Sequence, residues 1–194
     1  MEELAYNYAD YAEEDLEEDY ELIGGEKFIM AAAAPFVNHI TVISRLVIIF
    51  GNYIDKNNIN AIVVADADVY LSEKDHFRPD LSVVCDLNSV KTGKKVYGVP
   101  DLVVEVLSES TMKNDLGKKK DAYEKNGVKE YWIIDQWSKR IEVYHLIDGK
   151  YKLDDVYKAD SEDENVSKQI KVSIFNDLLV DVQSVFKWWF SGNG

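Results

Sequence analysis

Apolar residues at Val37, Ile40, Val42, Ile43, Leu46, Val47, Ile49, Phe50 and Ile54 recur at the three-to-four spacing of a largely buried helix, which Gly51 is expected to begin to end. Before it, Glu26 to Ala34 reads as a strand that Pro35 stops. After it come runs rich in β-branched and aromatic residues: Ala61–Leu71, Leu81–Cys85, Leu102–Leu107, Tyr131–Ile134 and Ile141–Leu146. A second helix fits Thr111 to Lys125, with Ser110 or Thr111 as N-cap and Asn126-Gly127 as its stop. A third, amphipathic, runs from Asp181 to Phe190 and ends in Lys187-Trp188-Trp189-Phe190, read as a helix capping the core. There is no repeat and no Pro/Gly/Ser-rich hinge, so residues 21–194 are expected to form one domain. Strand 102–107, the second helix and strand 131–134 predict a parallel, right-handed crossover, whereas the short connections before it suit antiparallel pairing. The expected architecture is α/β: a mixed sheet with helices against it.

Composition refines this picture more than it changes it. Hydrophobic residues make up 46 % and aromatics 12 % of 194 residues, enough for a sizeable core. A single cysteine, Cys85, excludes an internal disulfide and a multi-thiolate zinc site, which suits a reducing cytoplasm. The opening Met-Glu-Glu-Leu-Ala-Tyr has no basic flank before an apolar core, and Ile40–Phe50 is short and interrupted by Arg45, so a soluble protein is expected. The formal charge of −14 argues at first sight against a phosphate-bearing partner. Its distribution removes that objection. Residues 1–26 hold 11 acids and no Lys or Arg, and residues 154–164 hold six acids and one lysine; without them 19 acids face 21 bases. Residues 1–20 read as a mobile acidic arm, and Asp154–Glu164 as a solvated loop. The arm is a candidate guard over the lysines of the middle third, Lys113 to Lys129, although a solubility tail is the plainer reading.

Three charged residues stand where the patterns call for apolar ones. In Leu102-Val103-Val104-Glu105-Val106-Leu107 a carboxylate interrupts a strand expected to be covered on both faces, so Glu105 needs a partner, either a cation of the protein or a bound metal. Asp101 shares the face of Glu105 by the period of two, but after Pro100 it reads best as a turn or cap residue. Asp80 follows Arg78-Pro79 at the head of Leu81–Cys85, a weak signal taken alone. On the second helix Met112, Leu116 and Tyr123 form one apolar stripe whose vacant position is Lys119, so Lys119 points toward the sheet or snorkels past it. Two carboxylates and an inward lysine are the minimum kit for metal-assisted phosphodiester hydrolysis. No P-loop, dinucleotide loop or nucleophile elbow is present, and His39, His76 and His145 have no zinc spacing.

Arg78-Pro79-Asp80-Leu-Ser-Val-Val, Gly98-Val-Pro-Asp101-Leu-Val-Val-Glu105-Val-Leu-Ser108, Asp115-Leu-Gly-Lys-Lys119 with Tyr123, and Gly127-Val-Lys-Glu-Tyr131-Trp132-Ile-Ile-Asp135 resemble, in order, the motifs of the Uma-two family of restriction-endonuclease-like proteins, within the PD-(D/E)XK nuclease superfamily. The resemblance runs from about Glu21 to the C-terminus. It implies a restriction-endonuclease-like core, with Asp80 and Glu105 as ligands of Mg²⁺ (Mn²⁺ substituting), the backbone carbonyl of Val106 completing the shell, and Lys119 as catalytic lysine. The x-Lys position of the superfamily is Leu107 here, so the lysine comes from the following helix. His39 matches a histidine of the first core helix; Glu21, Glu26, Asp101 and Asp115 are further acidic candidates. The implied function is cleavage of nucleic acid, DNA before RNA, with a homodimer as one arrangement of the sites. The alternative is a non-catalytic nucleic-acid-binding or scaffold protein that keeps the fold.

Overall fold

A computed structural model describes residues 20–29, 36–90, 95–108, 115–162 and 168–187. Residues 1–19 of the acidic arm, Met30–Pro35, Lys91, Lys94, the start of the second predicted helix and the Trp188-Trp189-Phe190 cluster lie outside the described residues, whereas Tyr20, assigned to the arm, begins a strand. In chain order the elements are β1 (Tyr20–Ile23), β2 (Glu26–Ile29), α1 (Val37–Lys56), β3 (Ile62–Ala65), β4 (Val69–Ser72), β5 (Asp75–Phe77), β6 (Leu81–Val84), a 3-10 turn at Leu87–Val90, β7 (Val96–Tyr97) and β8 (Leu102–Val106). A π turn (Asp115–Lys119) then leads into α2 (Lys120–Asn126), followed by β9 (Glu130–Asp135), β10 (Arg140–Ile147), β11 (Lys150–Lys158), β12 (Gln169–Lys171), β13 (Leu179–Asp181) and α3 (Val182–Val185).

Among the described residues six strands form a mixed sheet in the order β11-β10-β9-β8-β6-β3, and five form a second sheet, β2-β1-β5-β4-β7. The expected crossover is present: β8 and β9 are parallel, Val104 opposite Trp132 and Glu105 opposite Ile133. Gly127 closes α2 in the left-handed region at φ 90°, where a residue without Cβ carries no steric cost, and its N–H reaches the carbonyls of Tyr123 and Glu124.

The two faces of the large sheet bury different partners. On one, Leu81, Val83, Leu102, Val104, Val106, Trp132 and Ile134 meet Val42, Leu46, Phe50 and Ile54 of α1. On the other, Val103, Leu107, Tyr131 and Ile133 meet Ala122 and Tyr123 of α2 together with Ile23 and Phe77 of the second sheet. Strands covered on both sides read as unbroken apolar runs, which is why β8 is fully buried from Leu102 to Val106.

Several expectations need correction. Gly51 does not end α1, because Ile54 is still buried in the core, and the helix stops at Asn57. At 20 residues α1 is long and apolar enough to cross a membrane by composition, but one of its faces is packed in the core. The run Ala61–Leu71 is two strands: Asp66, at φ 50°, turns the chain from the large sheet at β3 into the second sheet at β4. Asp154 and Asp155 belong to β11 and not to a loop. β11 is an edge strand, so its charged side chains face water and blunt the edge. The last helix is one short turn at Val182–Val185, capped by the Asp181 carboxylate on the Gln183 N–H.

Candidate active site

β6 and β8 are antiparallel, with Leu81 opposite Val104; one step further along the ladder sets Asp80 opposite Glu105 at the end of the sheet. Asp80 is held from two sides. Its Oδ2 accepts the Val106 N–H at 2.6 Å, and its Oδ1 lies 2.9 Å from His39 Nε2 in the first turn of α1. The N–H and C=O of one strand residue face the same neighbouring strand, so the Val106 carbonyl is also on the Asp80 side of β8.

Glu105 faces away from α1. It is 3 % exposed, and its Oε1 takes both the Tyr123 hydroxyl at 2.8 Å and the Lys119 ammonium at 3.3 Å. Lys119, equally buried, also pairs with Glu21 Oε1 at 2.9 Å. The same Glu21 oxygen accepts the Arg78 N–H at 3.0 Å, tying β1 to the segment that carries Asp80. Burial first, and then the Glu105 carboxylate, raise the Tyr123 pKa well above its ordinary value, so Tyr123 remains a neutral donor. Of the alternatives open for Lys119, snorkelling to water is excluded by its burial between two carboxylates.

The structure therefore gathers Asp80, Glu105, Lys119, Val106, His39 and Glu21. It separates the remaining candidates. Asp101 lies at the opposite end of β8, four residues or about 13 Å away, where it accepts the Cys85 N–H and pairs with Lys129 at 2.6 Å. Glu26 pairs with Lys118 at 2.8 Å between exposed side chains. The side chain of Asp115 lies outside the described residues. Residues that patterning did not assign a site role are Tyr123, visible only as part of the apolar stripe, and Asp68. Around Asp68 sit His76 at 3.4 Å, Arg78 at 3.2 Å and Lys95 at 3.4 Å. The His76 ring first, and then the two cations, hold the Asp68 carboxyl well below the usual carboxylate range. This cationic group begins two residues before Asp80.

The donor set fits a hard divalent ion. Asp80, Glu105 and Glu21 carry three negative charges against one on Lys119, a surplus that one such ion would neutralise. Mg²⁺ is ordinarily held by one or two carboxylates and keeps several waters. Among the described residues no group of three or more His, Cys, Asp or Glu side chains is placed to hold a metal ion.

Known proteins resemble the chain in family and in fold. A sequence profile of the Uma2 family, described as "Putative restriction endonuclease", matches residues 5–173. "Uncharacterized protein slr1290" of Synechocystis is 31 % identical over 138 residues, 70 % of each chain. The crystal structure of "a putative nuclease belonging to DUF820" from Anabaena variabilis superposes with a TM-score of 0.66 at 19 % identity, over 88 % of this chain and 90 % of that one, so the nuclease-type fold is shared. The chain therefore belongs to the Uma2 family of restriction-endonuclease-like proteins.

Proposed function

We propose that the protein is a metal-dependent nuclease that hydrolyses phosphodiester bonds of DNA, with RNA the less favoured substrate, at the Asp80, Glu105 and Lys119 cluster. The observation that carries this reading is the buried Lys119 ammonium, 3.3 Å from Glu105 and 2.9 Å from Glu21, beside a strand ladder that sets Asp80 opposite Glu105. A buried lysine between two carboxylates is a costly arrangement if its only purpose is packing. Asp80, Glu105 and the Val106 carbonyl would hold Mg²⁺ or Mn²⁺. When bound, such an ion supplies a lowered water pKa and positive charge for the phosphate oxygens.

The chain's own residues do the rest. Lys119 places a fixed ammonium where charge builds on the scissile phosphate, and Glu21 and Tyr123 hold the two ends of its salt-bridge network in position. His39 orients the Asp80 carboxylate from outside the sheet. Arg78 and Lys95, gathered by Asp68, bring positive charge toward a neighbouring phosphate. The test is cleavage of plasmid and single-stranded substrates with and without Mg²⁺. Glu105→Gln and Asp80→Asn should each lower cleavage at least ~100-fold, on the scale lost with a principal electrostatic group. Unchanged rates in either variant would remove the assignment. A folded wild type that binds no Mn²⁺ by calorimetry and cuts nothing would instead support the non-catalytic binding or scaffold reading.

A further inference from the structure

The turn between β9 and β10 carries a side chain that packing does not explain. Asp135 and Arg140 face each other at its base, and residues 136–139 form the tip. Such tips favour small polar residues that bond their own backbone. Here the second tip residue is Trp137, 47 % exposed. Among the described residues its indole meets no other ring and its Nε1 donates to no acceptor. A single exposed apolar side chain is ordinary, but this one is held in a fixed place beside the site.

The Asp135 carboxylate accepts the N–H of Trp137 at 3.0 Å and of Ser138 at 3.2 Å, together with the Ser138 hydroxyl, so the tip has a defined shape. Gln136, 6 % exposed, donates from Nε2 to the Leu107 carbonyl at 3.0 Å. The residue before Trp137 is thereby pinned to the chain just past Glu105. β8 and β9 run parallel with Glu105 opposite Ile133, so the tip projects from the end of the sheet where Asp80 and Glu105 lie. Four residues of strand rise and one strand spacing put the Trp137 backbone within about 14 Å of that of Glu105. The cations next to it are engaged, Lys139 with Asp160 at 2.8 Å and Arg140 with Glu142 at 2.9 Å. What the tip offers a ligand is a rigid, half-exposed aromatic plane rather than charge.

We propose, on the basis of the nucleic-acid substrate of the proposed function, that Trp137 stacks on an unpaired base of the bound strand, so that the protein selects single-stranded DNA over intact duplex. Inside a duplex both faces of a base are covered by its neighbours, and a surface ring reaches a base face only where the strand is single or frayed. Every base has a π-face, so the contact is tolerant of sequence. A stacked strand advances about 3.4 Å per nucleotide, which sets the base held by Trp137 within about four nucleotides of the scissile bond.

The test is fluorescence anisotropy of a labelled oligothymidylate of about 12 nucleotides, within the usual span of one single-strand site, and of a blunt duplex of the same length. The full chain is used in EDTA, so that metal-dependent cleavage does not intervene. Trp137→Ala should weaken single-strand binding at least ~5-fold, the loss of one stacked base, with duplex binding and the urea midpoint unchanged. Trp137→Phe should keep most of the affinity, whereas Trp137→Leu, apolar but without a ring, should bind like Trp137→Ala. Stacking releases no counterions, so the ratio of wild type to Trp137→Ala should persist as salt rises. Oligothymidylate should also quench the tryptophan emission of wild type and much less that of Trp137→Phe. No single-strand binding by wild type, a duplex bound as tightly as the single strand, equal affinity of wild type and Trp137→Ala, or wild-type affinity in Trp137→Leu would each overturn the proposal. Cleavage with Mg²⁺ is measured separately. A protein that cuts DNA but binds it without regard to Trp137 keeps the nuclease reading and loses the stacking role, and one that stacks oligothymidylate through Trp137 but cuts nothing does the reverse.

Discussion

Replacing Lys119 by methionine keeps the length of the side chain and removes its charge. Lys119 is 3 % exposed and lies 2.9 Å from Glu21 Oε1 and 3.3 Å from Glu105 Oε1, so the substitution leaves two buried carboxylates facing each other without their shared cation. Removing one member of a buried ion pair costs about 3–5 kcal/mol. For a chain of this size each kcal/mol is worth about 2–4 °C, so the melting temperature should fall by roughly 6–20 °C. Urea unfolding with EDTA present, which keeps metal out of the comparison, measures the loss directly.

A further result follows from the same geometry. Adding Glu21→Gln removes one of the stranded charges, so the double variant should recover part of the loss, with a coupling of about 1–3 kcal/mol. A Lys119→Met variant within ~0.5 kcal/mol of wild type would refute the reasoning, because losses that small are those of surface positions.

Tyr123→Phe keeps the ring packing against Phe77 and Tyr131 but leaves Glu105 one donor short, and should cost about 1.5–3 kcal/mol by urea unfolding. Cys85, whose thiol is pushed up to about 11 by burial and then by Asp101, should resist iodoacetamide at neutral pH in the folded chain and react readily once unfolded. The Glu130 carboxylate 3.8 Å away holds the His145 pKa above its ordinary value. The stabilisation from His145 is therefore fully present below its unfolded pKa near ~6.5 and is lost as pH rises through the folded value. Urea titrations should show that His145→Gln destabilises the chain at pH ~5.5 but much less at pH ~9.

The parts of the fold that patterning reached are those where burial acts on both faces of an element. The runs of β8 and β9, and the buried spacing of α1, are dictated by covered surfaces, so their order and the parallel crossover were legible. β5 was not, because Asp75-His76-Phe77 is polar in sequence; its buried Asp75 is satisfied by the Gly24 N–H, Ser72 and Asn126, partners that no spacing reveals. Glu105 was legible as a charge in an apolar run. Lys119 was reached through Tyr123, four residues on, with both side chains buried, but Leu116 does not share the stripe. The π turn at Asp115–Lys119 winds more widely than an α-helix and leaves Leu116 exposed. Glu21 became meaningful only when β1 paired with β5 and brought it over the lysine, which is a non-local event. Much of the lysine-rich surface also reads differently once partners are visible, since Lys118, Lys129 and Lys95 each pair with an acid.

In the proposed function Asp80 and Glu105 jointly hold a divalent ion beside Lys119. A crystal structure grown with Mn²⁺, with anomalous data collected at the manganese edge, tests it most directly. One peak is expected between the two carboxylates, with the Val106 carbonyl in its shell, and that peak should be lost in Glu105→Gln. A fully occupied peak elsewhere, or a site empty of metal at saturating Mn²⁺ with Asp80 still bound to His39, would contradict it.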